Sequence, residues 1–293
     1  MPLVAPSGAK PWPASLGGAN RATPPQPASL LPAVLRLLPH DAALGAFLYN
    51  PARYPAFVAG VREACAGEQR GRVCLMSGTH RRELHAIEAR VHEALERVGT
   101  DSLDCFFAEY VCPHEADEDV RGALLAARRD RRVRAVGATT HSVSAASRLL
   151  DLHEAHAEGG PLLDALMLRV SLAHDTHEAH GTLDRARELR VPVVAFCCTR
   201  WNGLLEKPLV GESADARPTA AECAGWALSS PGVEMLVHSS RDLEEAEHVL
   251  LGADAAAHAM RVDGGEERER WRAYGARWRA AHGAEDGFDA DAD

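Results

Sequence analysis

The sequence contains very little lysine and has an excess of negative charge. Lys10 and Lys207 are the only lysines among 32 basic residues, whereas the acidic residues number 42 and the formal net charge is −10. A surface that binds nucleic acid needs clustered positive charge, so this composition argues against a nucleic-acid partner. The scarcity of Lys beside abundant Arg and Ala is typical of a bacterial protein from a GC-rich genome.

Segments that would place the chain in or across a membrane are also missing. No apolar run reaches the ~18 residues of a transmembrane helix, and the N-terminus lacks the charged and apolar regions of a signal peptide. The 7 cysteines are an odd number and fall mostly inside apolar segments. We therefore expect reduced cysteines in a cytoplasmic protein that has no membrane partner.

Two signatures of bound cofactors are absent as well. No GxGxxG follows any predicted strand, so the dinucleotide fingerprint of a doubly wound sheet is missing. No CxxC, HxH or HExxH spacing occurs, so a bound metal ion is not expected.

What the sequence does contain is a regular alternation of short apolar strands and helices. Each predicted strand is apolar on both faces and is followed by a helical segment, a pattern that is typical of a parallel sheet. The predicted strands are ALGAFLY, RVCLMSG, LDCFFA, VRAVGAT, LDALMLRV, VPVVAFC and VEMLVHS.

A weak strand near Ser15–Ala19 would bring the number of βα units to eight. This predicts an α/β protein with a TIM (β/α)8 barrel and an abbreviated first strand, and a doubly wound open sheet is the alternative. Residues 1–29, rich in Pro, Gly, Ala and Ser, are interpreted as an irregular lead-in, and residues 30–262 as the barrel. Residues 263–293 are predicted to form a helix under or beside the barrel and a disordered acidic tail.

Several motifs of the chain resemble those of the aldo-keto reductases. The stretch EALERVGTDSLDCFFAE is similar to the family's helix and fourth strand, and RRVRAVGATTHS is similar to its fifth strand. LRVPVVAFCCTRWNGLL resembles the seventh strand with its loop, and PTAAECAGWALSSPGVEMLVHSSRDLEEAEHVL resembles the segment from the next helix through the eighth strand to the helix that follows it. The resemblance covers residues 70–252, is weaker over 14–69, and implies the barrel of that family.

The resemblance implies an NAD(P)H-linked oxidoreductase that acts on a small carbonyl compound or alcohol. The nicotinamide would stack on an aromatic ring after strand seven, and the phosphate would lie at the N-terminus of the last barrel helix. Met167 replaces the family's amide-binding Gln. The positions that match cofactor-binding residues are Thr139, Thr140, Phe196, Ser239, Ser240 and Arg241. NADP(H) is therefore the implied cofactor.

Most of the family's catalytic tetrad is replaced. Ser77 or Gly78 matches its strand-three Lys, and Glu109 matches its strand-four His. The second strand offers Tyr49 and Tyr54 but no matching Asp. A Tyr without a nearby cation has a pKa near ~10 and is a poor acid–base group at neutral pH. We therefore expect a divergent member of the family.

The predicted strand ends carry a different set of polar side chains. In a barrel the carboxyl ends of the strands form the rim on which active sites lie. An arginine inside strand six, Arg169, needs a partner because an unpaired buried charge is costly. Either Glu109 or an anionic substrate would supply that partner. The candidate catalytic residues are Tyr49, Glu109, His141, Arg169 and His238.

The residues leave three functions open. The first is a divergent NAD(P)H-linked oxidoreductase. The second is a non-redox enzyme, with or without a metal ion, that uses Glu109, His141, Arg169 and His238 on a small-molecule substrate. The third is a barrel without catalysis, kept for binding or as a partner subunit. The substrate and the oligomeric state do not follow from the sequence.

Overall fold

Eight parallel strands close into a barrel in the computed structural model, which describes residues 10–17, 28–39, 42–213, 216–262 and 265–283. The first strand, β1 (Lys10–Gly17), pairs with β2 (Ala42–Leu48) on one side and with β8 (Val233–His238) on the other, which closes the ring. The predicted TIM barrel is confirmed, and the open-sheet alternative is wrong.

The other elements alternate along the chain as the sequence predicted. The remaining strands are β3 (Val73–Thr79), β4 (Leu103–Ala108), β5 (Val133–Thr140), β6 (Ala165–Arg169) and β7 (Val193–Phe196). The helices are α1 (Leu30–Leu37), α2 (Pro55–Ala64), α3 (Leu84–Val98), α4 (Asp117–Arg129), α5 (Val143–Ala155), α6 (Thr176–Ala179), α7 (Thr182–Glu188), α8 (Gly203–Glu206), α9 (Ala220–Leu228), α10 (Leu243–Val262) and α11 (Glu266–His282).

The first strand differs from the prediction in place and length. It lies at Lys10–Gly17 rather than Ser15–Ala19, and it is not abbreviated, since it pairs with both neighbours. Its sequence, KPWPASLG, contains two prolines that cannot donate to a strand ladder, which weakens the sequence signal. The segment 1–29 that was interpreted as an irregular lead-in therefore contains a barrel strand. The acidic tail predicted to be disordered lies outside the described residues.

Alternate side chains of the strands face either the barrel interior or the surrounding helices. The interior cluster consists of Phe47, Cys74, Met76, Cys105, Phe107, Ala165, Met167, Val194, Met235 and Val237. The opposite strand faces pack against the helices in a larger apolar cluster. This alternation places Glu109 and Arg169 on the inward faces that continue β4 and β6, and it places His238 on the outward face of β8.

Helix ends follow the signals that the sequence carries. Ser142 caps α5 by accepting a hydrogen bond from the amide of Ala145, and Thr219 forms a capping box with Glu222 at the start of α9. Gly99 ends α3 in the left-handed conformation, with φ at 76°. α10 extends over 20 residues to Val262, because its Ala-rich second half favours helix.

The C-terminal helix α11 packs beside α9 and over the loops that follow β6 and β7. The carboxylate of Glu178 accepts hydrogen bonds from Arg268 and Arg272, and the indole of Trp278 donates to the carbonyl of Lys207. The helix therefore lies beside the barrel, at the rim formed by the carboxyl ends of the strands. Of the described helices, none combines the length and hydrophobicity that crossing a membrane requires.

Candidate active site

A cavity that is open to solvent lies at the carboxyl ends of the strands. This is the end of the barrel at which enzymes of this fold carry their active sites. Its lining residues come from the ends of six strands and from the loops that follow them. They are Phe47, Tyr49, Glu109, Tyr110, Thr139, His141, Met167, Phe196, Cys197, Thr199, Trp201, Asn202, Val237, His238 and Ser239.

Glu109 is a buried carboxyl group in the wall of this cavity. Its side chain is 5% exposed, and among the described residues its Oε1 atom has no hydrogen-bond partner. The main chain holds the residue firmly: its amide donates to Thr79, and its carbonyl accepts from Arg82. Burial raises the pKa of Glu109 to about 7, against the opposing charges of Arg90 and Arg82. The group therefore exchanges its proton near neutral pH.

The charges that act on Glu109 differ from those expected. The guanidinium groups that lower its pKa belong to Arg82, in the loop before α3, and to Arg90, on α3. Arg169 is not among them. Arg82 also binds the carboxylate of Glu115 at 2.8 Å, which divides its charge between two partners. The Glu109–Arg169 pair considered from the sequence is therefore not the arrangement that governs this carboxyl group.

Four aromatic rings follow one another across the cavity. The Tyr110 hydroxyl donates to the Tyr49 hydroxyl at 3.1 Å, and the Tyr110 ring stacks on His141 with centroids 5.6 Å apart. His141 in turn meets Phe196 edge to face at 5.0 Å. Desolvation and the hydrogen bond to Tyr49 raise the pKa of Tyr110, so this phenol stays protonated. The contacts hold the four rings in fixed mutual orientation.

The loop after β7 has an unusual backbone. Cys197 (φ 58°), Arg200 (52°), Trp201 (53°) and Asn202 (67°) all adopt the left-handed conformation. Such a conformation costs a residue other than Gly about 1 kcal/mol or more, and it is found most often at functional sites. The loop places Trp201 and Asn202 in the cavity wall.

Arg169 lies buried beside the cavity within a group of imidazoles. Burial, together with the charge of Arg169, lowers the pKa of His141 to about 4 and that of His177 to about 3. Burial also lowers the pKa of His174 to about 2, with Arg169 and Arg200 contributing. These three imidazoles are therefore neutral at pH 7. His174 is 3% exposed.

His238 turns away from the barrel interior. Its Nε2 atom lies 2.9 Å from Glu245 Oε1 on α10, and its Nδ1 atom lies 3.8 Å from the thiol of Cys198. Arg241 donates to the same carboxylate at 2.5 Å. Although burial opposes it, these two partners lower the pKa of Glu245, which is therefore ionised at neutral pH. The first turn of α10, where the resemblance implies a cofactor phosphate, therefore already carries the negative charge of Glu245.

The predicted cofactor residues divide into two groups. Thr139 and Phe196 line the cavity, and the Thr139 oxygen accepts a hydrogen bond from the amide of Tyr110. Thr140 is fully buried and its hydroxyl donates to the carbonyl of Val111, so it faces away from the cavity. Ser239 lines the cavity, Ser240 is buried in the same loop, and the Arg241 side chain is 45% exposed.

The described residues contain no group of three or more His, Cys, Asp or Glu side chains arranged to hold a metal ion. Burial raises the pKa of Cys197 to about 12, so this thiol is protonated at neutral pH. The 7 cysteines are all free thiols.

Of the five predicted catalytic residues, Tyr49, Glu109, His141 and His238 contribute to the cavity wall, whereas Arg169 lies buried beside it. Sequence reasoning missed the aromatic residues Tyr110 and Trp201, and also Asn202. Tyr110 follows Glu109 directly at a strand end, which is a usable signal, and the other two belong to the TRWN stretch after β7.

Comparison with known proteins reveals a shared fold. No protein-family model and no curated protein matches the chain. An aldo-keto reductase from Bacillus halodurans superposes with a TM-score of 0.64 at 13% identity, covering 83% of this chain and 85% of that chain. An aldo-keto reductase from Klebsiella pneumoniae, solved in complex with NADPH, gives 0.66 at 18% identity, covering 85% and 90%. The resemblance is thereby confirmed at the level of the fold, which by itself does not determine activity.

Proposed function

We propose that the protein is a divergent, NAD(P)H-linked oxidoreductase that interconverts a small carbonyl compound and its alcohol, with Glu109 as the proton donor and acceptor. The observation that carries this proposal is the buried carboxyl group in the cavity wall, with a pKa of about 7 and an unpartnered oxygen among the described residues. A general acid works best when its pKa is close to the working pH. The shared fold supports the choice of reaction class.

Glu109 takes the position of the family's strand-four His and also acts as the general acid. At neutral pH its protonated and ionised forms are both populated, because burial removes the water that would stabilise the charge. In reduction the protonated carboxyl group gives its proton to the substrate oxygen, and in oxidation the carboxylate takes it back. General acid–base catalysis of this kind accelerates a reaction by about 10²–10⁴-fold.

The phenol pair orients the substrate oxygen. Tyr110 donates its hydrogen to Tyr49, which leaves the hydrogen of the Tyr49 hydroxyl available for a ligand in the cavity. The two rings also meet edge to face at 6.1 Å, so the hydroxyl of Tyr49 is held in place by two contacts. We assign Tyr49 to hydrogen bonding of the substrate oxygen and Glu109 to proton transfer.

The residues present fit a nicotinamide cofactor at two points. Phe196 is partly exposed to the cavity and would pack against the nicotinamide ring, and Thr139 keeps its hydroxyl hydrogen for the amide. Arg241, beside Ser239 and half exposed, would contact the phosphate. When bound, the cofactor supplies the hydride. Met167 cannot hydrogen-bond the amide, so the nicotinamide depends on stacking and on Thr139.

A second function is favoured by one observation, namely that His141 already contacts the ring of Phe196. If this contact excludes nicotinamide, Glu109 and His141 serve a non-redox reaction, such as proton transfer next to a carbonyl group. In that case Glu109 would act as base, and the neutral imidazole of His141 would donate a hydrogen bond. Binding of the cofactor distinguishes the two functions.

The decisive experiment is a calorimetric titration of the purified protein with NADPH and then NADH. We expect micromolar binding of at least one, and a Glu109→Gln variant that binds the cofactor equally but turns over ~10²-fold or more slowly. Glu96→Gln, an exposed carboxylate on α3, is the control and should match the wild type. Absence of binding up to millimolar cofactor would eliminate the redox function and leave the acid–base enzyme.

A further inference from the structure

Asn202 lies in the wall of the cavity, in the loop that follows β7. Its side chain is buried, with the residue 3% exposed. The hydroxyl of Thr199, another lining residue, accepts a hydrogen bond from the main-chain amide of Asn202 and donates one to its Oδ1 atom, both at 3.3 Å. Because Oδ1 is engaged in this way, Nδ2 is the side-chain atom that remains for another partner.

The Nδ2 atom of Asn202 has no hydrogen-bond partner among the described residues. It can donate two hydrogen bonds, and it belongs to a side chain that water scarcely reaches. A buried donor that lacks an acceptor weakens the folded state, and buried polar groups in proteins are nearly always paired. The atom therefore indicates an acceptor that this part of the cavity is built to receive.

Local structure accounts for an asparagine at this position but not for its unpaired amide. Asn adopts the left-handed conformation more readily than most residues that carry a side chain, and Asn202 has φ at 67°. It also occupies the N-cap of α8, where an Asn side chain usually accepts a hydrogen bond from the helix. Here the side chain forms no such bond and contacts Thr199 in the cavity wall instead.

A second unpaired group belongs to the same cavity. Oε1 of Glu109 also lacks a partner within the described part of the chain, and Tyr49 keeps its hydroxyl hydrogen for a ligand. Glu109 follows β4 and Asn202 follows β7, three strands apart around the closed barrel. A ligand that satisfies both residues therefore carries polar groups at two separate positions.

The rest of the cavity wall favours a flat and uncharged ligand. Lys and Arg are absent from the described residues that line the cavity, so an anion would find no counter-charge in the wall and would meet the carboxyl group of Glu109. Arg169 and Arg200 lie behind the wall, each 2% exposed. Aromatic rings offer surfaces on which a planar ligand can stack or meet edge to face. They belong to Phe47, Tyr49, Tyr110, His141, Phe196 and Trp201.

We propose that Asn202 determines specificity by donating a hydrogen bond from Nδ2 to a neutral oxygen of the ligand, and that the ligand is an uncharged aromatic carbonyl compound with a second oxygen acceptor. Its reacting carbonyl oxygen meets Tyr49 and Glu109, and its second oxygen meets Asn202. The aromatic part lies between the two, against the rings of the wall. The identification of this ligand as the substrate rests on the proposed function, whereas its binding requires neither cofactor nor turnover.

The test compares two ketones of similar shape, 1,4-diacetylbenzene and 4-isopropylacetophenone, by calorimetry without cofactor. The second compound carries a methyl group where the first has its second carbonyl oxygen. We expect the wild type to bind the diketone about threefold to tenfold more tightly, the effect of one hydrogen bond between uncharged groups. Asn202→Gly should lose this preference, because Gly keeps the left-handed backbone but has no amide side chain. Equal binding of the two ketones by the wild type, or binding of neither up to millimolar concentration, overturns the proposal.

Asn50→Gly is the matched control. Asn50 also has a left-handed backbone, with φ at 94°, but it is exposed and is not one of the residues that line the cavity. This variant should retain the preference for the diketone. If Asn202→Gly folds and retains the preference as well, the amide of Asn202 does not bind the ligand and the proposal is overturned.

Two further comparisons keep the test decisive. If Asn202→Gly does not fold, Asn202→Asp replaces the donor with an acceptor of the same shape, and at pH 8 it should lose the preference for the diketone. Retention of the preference would overturn the proposal. The wild type should bind 4-acetylbenzoate at least threefold more weakly than the diketone. Tighter binding of this anion would overturn the assignment of an uncharged ligand.

The same variants distinguish the ligand from the cofactor. Asn202→Gly should bind NADPH as the wild type does. A loss of NADPH affinity with an unchanged preference for the diketone would assign the amide of Asn202 to the cofactor and overturn the proposal. If the wild type binds no NADPH and still shows a preference that depends on Asn202, the proposed reaction is wrong and the ligand site stands.

Discussion

The carboxyl group of Glu109 lies against Gly78, in the space that the side chain of any other residue would fill. A Cβ atom placed on Gly78 would stand 2.8 Å from both Cγ and Oε1 of Glu109 and 2.5 Å from the carbonyl oxygen of Phe107. Non-bonded atoms do not approach so closely. Glu109 can therefore occupy this position only because residue 78 is a glycine. The end of β3 thus makes room for the carboxyl group that follows β4.

A Gly78→Ala substitution should therefore displace Glu109 and strain the β3–β4 pairing. We expect a loss of about 1–3 kcal/mol in the free energy of unfolding, the usual cost of overpacking a closed core. Turnover should fall together with it, because the carboxyl group leaves the cavity wall. Thermal or denaturant unfolding measures the first effect, and a steady-state assay measures the second.

Gly122→Ala provides the matched control for that experiment. Gly122 lies within α4, and a Cβ atom there would meet nothing within 4 Å. Replacing an exposed helical Gly by Ala should stabilise the protein by about 0.5–1 kcal/mol and leave turnover unchanged. If both substitutions behave alike, Gly78 has no special relation to Glu109.

The pKa of Glu109 makes stability depend on pH in a defined direction. Below its unfolded-state value of 4.5 the carboxyl group is protonated in both states, so burial carries no penalty. As pH rises toward the folded-state value of about 7, the unfolded chain ionises first, so stability decreases across this window by about 3 kcal/mol. Well above pH 7 the carboxyl group is ionised in both states, so its contribution to the free energy of unfolding no longer changes with pH.

Glu109→Gln should remove this contribution, because the amide does not ionise. The difference between variant and wild type in the free energy of unfolding should therefore grow in favour of the variant from pH 4.5 to 7. Denaturant unfolding at several pH values checks it, and a pH-independent difference would contradict the burial of a titrating carboxyl group. Under the proposed function, reductase activity of the wild type should also fall above pH 7, where the acid is ionised.

Much of the barrel was predictable because its strands are short, apolar on both faces and separated by helices. β4 occupies the residues that the sequence predicted. β1 was harder, because its prolines suppress the usual strand signal and only pairing with β2 and β8 reveals it. β1 is therefore determined by hydrogen bonds to strands that are distant in the sequence, and a local sequence pattern does not reveal such bonds.

The candidate site was only partly predictable, and for geometric reasons. A residue at a strand end points inward or outward according to register, so Glu109 faces the cavity whereas His238, also at a strand end, turns to Glu245. Tyr110 enters the site through a left-handed backbone, with φ at 53°. Residues other than Gly rarely adopt that conformation, so the amino-acid sequence alone does not predict it at Tyr110.

A buried carboxylate on the outer face of β4 should matter for stability rather than for chemistry. Asp104 is 3% exposed, pairs with Arg70 at 2.9 Å and accepts a hydrogen bond from the amide of Leu75 at 2.7 Å. Asp104→Ala removes the acceptor of the buried Leu75 amide and the charge that faces the partly buried Arg70, so we expect a loss of about 1–3 kcal/mol in the free energy of unfolding. Asp184→Ala, in an exposed pair on α7, should cost no more than ~1 kcal/mol. Equal losses would contradict this role.

Glu245 should oppose the binding of a cofactor phosphate, because its ionised carboxylate lies in the first turn of α10 and is bound to Arg241. Glu245→Gln removes the negative charge while keeping the shape, so affinity for NADPH should rise by about threefold to tenfold, and affinity for NADH should rise less. Stability should fall by about 1–2 kcal/mol, since His238 and Arg241 lose a charged acceptor. The two dissociation constants, measured by calorimetry beside the exposed control Glu247→Gln, check this. An unchanged ratio of the two constants would show that Arg241 does not contact the 2′-phosphate, and the cofactor position proposed at this end of the barrel would then be wrong.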